Sequence, residues 1–274
     1  MKPLITLIFA CCLLWGFAAQ PLGTQQSPHV AILGDSNTWM GGDDCSGDEA
    51  WPKWFMQLYS TSSCRSYARS GATWTNTPAT VLNTEEDTAL LADNNVIFNQ
   101  VQRLIEAHKA GSQPTPQLVI IAAGVNDAWF HAKRPEAFTF SSHKAKRQND
   151  WSYLYQSTPD QILTLAESIA FNCHLLQQAF PQAHIVLVTP AQSVEVSSRL
   201  IAKTGNIIAA TAASLGIHAI KLHRLSPISS KAERRRCRFT SDGTHTNARG
   251  AKAHGRIIAR HITAMQLHFT TQSE

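Results

Sequence analysis

Three side chains of this sequence have the types and spacing needed for nucleophilic catalysis by a hydroxyl. Ser36 lies in the tetrapeptide GDSN, residues 34–37, directly after the apolar run HVAIL. Asp242 and His245 lie in DGTH, residues 242–245. A serine attacks when an imidazole takes its proton and a carboxylate orients that imidazole. The short separation of Asp242 and His245 lets both side chains turn to one side, so the pattern indicates a nucleophile, a base and its partner.

Two further segments offer hydrogen-bond donors for a developing oxyanion. Asn126 lies in GVND, residues 124–127, after the apolar run QLVIIAA, and its side-chain amide is a suitable donor. Gly71 lies in SGA, residues 70–72, where glycine permits close approach of the backbone. Both segments are also common turn sequences. Whether these two segments form an oxyanion hole or ordinary turns therefore depends on whether the fold brings them close to Ser36.

The elements that must position these side chains alternate along the chain. Short apolar runs predict strands at 29–33, 66–69, 117–123, 184–189 and 217–221. Helical spacing predicts helices at 51–59, 96–109, 159–180, 196–215 and 247–267. Strands separated by helices predict an α/β fold, a three-layer α/β/α sandwich with a mainly parallel sheet. Sites in such sheets lie at the carboxyl ends of the strands. The polar, aromatic-containing stretch Ala128–Thr158 is expected to be functional or disordered.

The four segments together resemble the SGNH (GDSL-like) hydrolase superfamily, whose members carry Ser, Gly, Asn and His in four blocks in this order. AILGDSN, ARSGA, AGVND and DGTHTN stand here for those blocks. The resemblance implies the flavodoxin-like α/β/α fold, with Ser36 as nucleophile, His245 as general base and Asp242 as its partner. It also implies an oxyanion hole made by the Ser36 N–H, the Gly71 N–H and the Asn126 side chain.

One position departs from the family pattern: Thr246 stands where many members carry proline. An ordinary α/β-hydrolase is disfavoured, because the chain contains no G-x-S-x-G elbow. The chemistry that the resemblance implies is ester hydrolysis through an acyl-enzyme, which needs no metal or organic cofactor.

The first twenty residues predict a signal peptide. Lys2 precedes an apolar run that ends at Phe17, and the small residues Ala18 and Ala19 follow. The catalytic domain is then expected at residues 27–270, and the protein is expected to be exported, either periplasmic or secreted, with no stable membrane span after cleavage. Two alternatives stay open: an uncleaved anchor, and a lipoprotein modified at Cys11 or Cys12.

Four cysteines remain after removal of that segment, and an even number in an exported chain suggests two disulfides. They allow three pairings, of which Cys45–Cys64 is favoured because it closes a short loop near the nucleophile. The four are Cys45, Cys64, Cys173 and Cys237. Their spacing does not suit a zinc site.

The substrate is expected to be a small ester or an acetylated glycan. Trp39, Trp74 and Trp129 each follow a block closely, and indoles at the mouth of the site would stack on sugar faces. Net charge is +5, and basic residues cluster at Arg234, Arg235, Arg236 and Arg238 and at Lys133, Arg134, Lys144, Lys146 and Arg147. These charges are compatible with an acidic glycan or a solvated face, and no nucleic-acid partner is expected. The alternatives are a lipase or lysophospholipase of the same superfamily and a non-catalytic glycan-binding protein. The oligomeric state is not indicated.

Overall fold

The computed structural model describes residues 27–87 and 89–269, so the predicted signal peptide lies outside the described residues. The strands are β1 His29–Gly34, β2 Ser63–Ser66, β3 Leu118–Ala122, β4 His184–Val188 and β5 His218–Ile220. The helices are α1 Ser36–Trp39, α2 Trp51–Met56, α3 Ile97–Lys109, α4 Val125–Trp129, α5 Ser142–Arg147, α6 Leu165–Ala179, α7 Ser198–Ser214, α8 Leu222–Leu225, α9 Ser230–Arg235 and α10 Ala248–Ala264.

The five strands form one parallel sheet in the order β2-β1-β3-β4-β5. The first strand, β1, lies inside the sheet, and β2 pairs with it at one edge. The chain then crosses to the other side of β1, where β3, β4 and β5 follow in order. The order reverses beside β1, and open parallel sheets bind ligands at the carboxyl edge near such a reversal. The fold class predicted from the sequence is confirmed.

Alternation along the strands divides the core into two layers. Ala31 and Leu33 of β1 face one side, with the apolar positions of α3, α6 and α7. Val30 and Ile32 face the other, with those of α2 and α10. Strands buried on both faces read as continuous apolar runs, which is why HVAIL, LVIIA and HIVLV were recognisable in the sequence.

Two elements differ from their predicted positions. β2 is Ser63–Ser66 and not 66–69, because it is a partly exposed edge strand of polar residues without an apolar run to mark it. Pro159 opens a separate 3₁₀ turn, Pro159–Gln161, which Thr158 caps. A second cap, Thr164, accepts a hydrogen bond from the Glu167 N–H and starts α6 there.

The stretch Ala128–Thr158 is folded. Phe140, Trp151 and Leu154 are each buried in the core beside α6 and α7. The segment therefore packs against one helical layer, and its three lysines are exposed. Among the described residues, no helix combines the length and the apolar character needed to cross a membrane.

Candidate active site

Ser36 lies at the carboxyl end of β1, as the first residue of α1. Gly34 precedes this turn, and a Cβ there would lie 2.5 Å from the Ala122 carbonyl oxygen, so only glycine fits. Asp35 caps α1 by accepting a hydrogen bond from the Asn37 N–H at 3.1 Å. The Ser36 N–H belongs to the first turn of the helix, where amides have no carbonyl partner within the helix.

Gln100 on α3 fixes the end of β1 from the side. Its Oε1 accepts a hydrogen bond from the Gly34 N–H, and its Nε2 donates to the Gly34 carbonyl, both at 2.8 Å. This paired bond satisfies a buried peptide group where the ladder of the sheet ends. The backbone that carries Ser36 is therefore held by the sheet and by a helix.

Asp242, His245 and Ser36 form a continuous chain of hydrogen bonds. His245 Nε2 lies 2.9 Å from Ser36 Oγ, and its Nδ1 lies 2.6 Å from Asp242 Oδ2. The other oxygen of Asp242 accepts the His245 N–H at 2.8 Å and the Thr244 N–H at 2.9 Å. The carboxylate thus orients both the ring and the backbone of the loop. The side chain of Ser36 is buried, so its hydroxyl has few competing solvent partners.

Two carboxyl groups close to Ser36 differ in the direction in which their pKa is shifted. Burial raises the pKa of Asp242, but the hydrogen bonds from His245 and Thr244 outweigh that effect and leave the pKa below its usual value. Burial raises the pKa of Asp35 to about 7, against the opposing hydrogen bond from Asn37 and the charge of His245. Asp242 is therefore the carboxylate that stays ionised beside the imidazole.

Asn126 lies in α4, after the carboxyl end of β3. Its Nδ2 donates to the Ala72 carbonyl at 2.9 Å, which connects α4 to the segment that follows Gly71. A side-chain amide nitrogen carries two hydrogens, so a second donor remains for a ligand. Gly71 itself has φ 79°, in the left-handed region. The structure thus brings these two predicted oxyanion donors onto neighbouring segments.

Asp127 is a residue of this site to which the sequence pattern gave no role. It is fully buried, and its carboxylate accepts the N–H groups of Trp74 at 3.0 Å and Thr75 at 2.9 Å. It also accepts the Thr75 hydroxyl at 2.8 Å. Because Asp127 follows Asn126 directly, it fixes the Gly71–Thr75 segment against the helix that carries the amide.

Glu233 was also missed, because it reads as one acid in a basic run. It is 2% exposed, and its Oε2 accepts the N–H groups of Arg238 at 2.9 Å, Phe239 at 3.1 Å and Thr240 at 3.1 Å. The same oxygen accepts the Thr240 hydroxyl at 2.6 Å. Thr240 in turn accepts the Gly243 N–H at 3.1 Å. Glu233 therefore holds the strand of backbone that leads into the Asp242–His245 loop.

The three tryptophans expected at the mouth of the site are not equivalent. The prediction for Trp74 is wrong: it is 0% exposed, lies in the core, and donates from Nε1 to the Ala123 carbonyl. Its position after the second block did not reveal which way the chain turns. Trp39 at the end of α1 is 41% exposed, and Trp129 at the end of α4 is 38% exposed. These two remain available to a ligand.

The predicted disulfides are not formed. All four cysteines of the described residues are free thiols. Cys173 is buried in the core and Cys237 is exposed on the surface, so these two do not form the second pair. Cys45 Sγ and Cys64 Sγ lie 3.5 Å apart, and the favoured pair is thus adjacent but not bonded. The hydrogen bond between them and burial raise the pKa of Cys64.

The two basic groups seen in the sequence also behave differently. Arg134 is 5% exposed and donates to the Thr75 carbonyl, so its expected place on a charged face is wrong. The other basic residues of both groups are exposed.

A parallel α/β sheet with this serine, histidine and aspartate at its carboxyl edge is the arrangement of SGNH hydrolases. The chain belongs to the GDSL-like lipase/acylhydrolase family, whose pattern it matches from residue 32 to residue 253. Members of this family hydrolyse esters, and the resemblance noted in the sequence is confirmed.

Solved structures share the fold at low sequence identity. A protein from Bacteroides uniformis, described as a candidate GDSL-like lipase, has a TM-score of 0.55 and 18% identity, covering 88% of this chain and 97% of that one. A similar protein from Bacteroides ovatus has a TM-score of 0.52 and 16% identity, covering 88% and 100%. A possible lipase from Chitinophaga pinensis has a TM-score of 0.52 and 13% identity, covering 88% and 99%. No curated protein matches the sequence.

Proposed function

We propose that the protein is a serine esterase that removes acetyl groups from carbohydrate through an acyl-enzyme. The observation that carries the proposal is the hydrogen-bond chain from Asp242 through His245 to Ser36, at 2.6 and 2.9 Å. These distances are within reach for proton transfer, and the ring is held by a carboxylate, as activation of a hydroxyl requires.

The mechanism follows from that geometry. His245 accepts the Ser36 proton at Nε2 while the serine oxygen attacks the ester carbonyl, and Asp242 stabilises the resulting imidazolium. The N–H groups of Ser36 and Gly71 and the amide of Asn126 stabilise the tetrahedral oxyanion. His245 then protonates the leaving alcohol, and the acyl group remains on Ser36. Water, deprotonated by His245, releases the acid and restores the hydroxyl.

Two features support a short acyl group on a sugar. The partly exposed indoles of Trp39 and Trp129 suit stacking on sugar faces. The insertion at 128–158 uses Phe140, Trp151 and Leu154 in the core, so these side chains add no apolar surface for a long acyl chain.

A second candidate, a lipase or lysophospholipase, is favoured by one observation. Leu90, which is 67% exposed, lies against Gly71: a Cβ on that glycine would be 3.3 Å from Leu90 Cδ2. Val81 and Leu82 of the same loop are also exposed. An apolar loop beside an oxyanion donor suits a longer acyl chain.

Fluorophosphonate labelling with intact-mass detection tests the esterase. We expect one adduct on the unaltered protein, none on Ser36→Ala, and one on the matched control Ser157→Ala, whose hydroxyl makes only a local contact. Labelling of Ser36→Ala at the normal rate would refute the proposal. Acetate release from acetylated xylan or pectin, compared with hydrolysis of p-nitrophenyl esters from C2 to C12, separates the two candidates. A preference for the long esters with no acetate release would favour the lipase.

A further inference from the structure

The exposed surfaces of α9, of the turn after it and of α10 carry many basic side chains. On α10 the basic side chains recur at intervals of three and four residues, which places them on one face of the helix. The turn after α9 adjoins the start of α10, because Arg238 and Arg249 lie over the same ring of Phe239. We call the whole set the cationic track: Lys231, Arg234, Arg235, Arg236, Arg238, Arg249, Lys252, Arg256 and Arg260, all exposed.

The charges of the cationic track are not neutralised within the protein. Across the described part of the chain, no member forms an ion pair with a carboxylate. The only acid of α9, Glu233, is buried and binds backbone N–H groups, and α10 contains no acid. Of the nearby carboxylates, Asp48 is paired with Lys53, while Glu49 and Glu195 are exposed at the margin. A row of cations held this way attracts an anionic polymer.

One end of the cationic track flanks the Asp242–His245 loop. The guanidinium groups of Arg238 and Arg249 lie over the ring of Phe239, at 5.2 and 5.0 Å from its centre. Phe239 lies three residues before Asp242, and Arg249 lies four residues after His245. A polymer bound along α10 would therefore reach the nucleophile without leaving the charged surface.

A second contact joins the track to the same loop. Arg234 Nη2 donates to the Val194 carbonyl at 2.7 Å, and the Val194 N–H donates to the Gly243 carbonyl at 2.9 Å. Farther along, the Lys252 ammonium lies 4.9 Å from the centre of the half-buried Trp54 ring. A cation beside an indole suits a sugar that carries a carboxylate, because the ring stacks on the sugar while the cation pairs with the acid.

We infer that the cationic track binds an acidic polysaccharide and presents its ester groups to Ser36, so that the substrate class is an O-acylated polyuronate. The inference rests on the proposed esterase function. It favours a glycan over a nucleic acid, because polysaccharides carry carboxylic esters and nucleic acids carry phosphodiesters. It favours a glycan over a membrane, because the apolar face of α10 is buried in the core and its outer face has no large apolar side chain to insert.

Binding of the full chain to polygalacturonate by affinity electrophoresis tests the inference. The variant replaces Arg249, Lys252, Arg256 and Arg260 of α10 by Gln. The matched control replaces the exposed Lys133, Lys144, Lys146 and Arg147 of the insertion by Gln, with the same change in net charge. We expect binding at least about tenfold weaker for the α10 variant and nearly unchanged for the control. An equal loss of polygalacturonate binding in both variants would overturn the inference. So would retardation of the unaltered protein by neutral xylan that is as strong as its retardation by polygalacturonate.

If the α10 variant does not fold, the salt dependence of binding by the unaltered protein tests the same inference. Its binding to polygalacturonate should weaken steeply as salt rises, because bound counterions are released on association. Stronger binding to anionic phospholipid vesicles or to duplex DNA than to polygalacturonate would overturn the choice of ligand. Hydrolysis of p-nitrophenyl acetate by the same preparation distinguishes the two proposals. Turnover without polymer binding would refute only the proposal that the cationic track binds polysaccharide. Polymer binding without turnover would refute the proposed esterase function.

Discussion

Replacing Glu233 by alanine is expected to disable the catalytic loop from a distance. The substitution leaves the N–H groups of Arg238, Phe239 and Thr240 without their acceptor in a site that is 2% exposed. Each unsatisfied buried donor costs about 1–3 kcal/mol, and water entering the cavity recovers part of it. We therefore expect a loss of about 3–5 kcal/mol in the free energy of unfolding.

The effect on turnover should exceed the effect on substrate binding. The Thr240 hydroxyl accepts a hydrogen bond from the Gly243 N–H, which lies between Asp242 and His245. A shift of this backbone therefore lengthens the contact between His245 and Ser36. A displacement of about 1 Å at reacting groups costs roughly a hundredfold in rate. With p-nitrophenyl acetate as substrate, kcat should fall by about that factor while KM changes little.

Glu233→Gln is a graded control for this reasoning. One oxygen, Oε2, accepts four of the five hydrogen bonds, and Oε1 accepts only a long one, at 3.3 Å from the Phe239 N. Glutamine keeps an oxygen at the position of Oε2 and places an NH₂ group at the position of Oε1. Urea unfolding should therefore show an intermediate loss of about 1–2 kcal/mol in the free energy of unfolding. Glu195→Ala, at an exposed carboxylate nearby, should change neither quantity. A folded Glu233→Ala protein with the kcat of the unaltered protein would refute the positioning role.

Three further predictions concern pH, redox state and the oxyanion segment. Burial lowers the pKa of His254 to about 4, so stability should be lost by about 3 kcal/mol as pH falls from 6.5 through 4, and His254→Gln should reduce that loss in Tm scans across this range. A mild thiol oxidant should form a disulfide between Cys45 and Cys64, whose sulfurs lie 3.5 Å apart. Thiol alkylation followed by mass spectrometry should then detect two fewer free thiols, and Tm should rise. Gly71→Ala should lower Tm and kcat together, because alanine at φ 79° is strained by about 1–2 kcal/mol.

Each of these has a contrary outcome. An acid transition identical in His254→Gln and the unaltered protein would place the sensitivity elsewhere, for example at His223, whose pKa burial also lowers to about 4. Retention of all four free thiols after oxidation would show that the Cys45 and Cys64 side chains cannot reach bonding geometry. An unchanged Tm for Gly71→Ala would show that the loop relaxes the strain.

The sequence allowed the fold and the centre of the site to be predicted because both are encoded locally. Strands such as LVIIA are buried on both faces and need no partner to be recognised. Ser36 and His245 stand in short motifs whose chemistry is evident from residue type. The distance between them, in contrast, joins residues that are 209 positions apart in the sequence, and it is accessible only in three dimensions.

What the sequence missed depends on side-chain direction. Glu233 belongs to a run of arginines, and nothing in its neighbours shows that it alone turns inward. Trp74 has the spacing expected of a mouth residue, but Asp127 binds the Trp74 and Thr75 backbone and turns the indole into the core. β2 has no apolar signal, because an edge strand buries little.

The separation of Ser36 on the first helix from His245 ahead of the last has a consequence for biogenesis. α10 packs closely on α2: a Cβ at Gly255 would lie 2.5 Å from the Trp54 Cβ. In the proposed mechanism, a chain in which α10 has not yet docked lacks the base that deprotonates Ser36. If the proposed mechanism holds, esterase activity should therefore appear only once α10 has docked, and the onset of turnover during refolding should report that step.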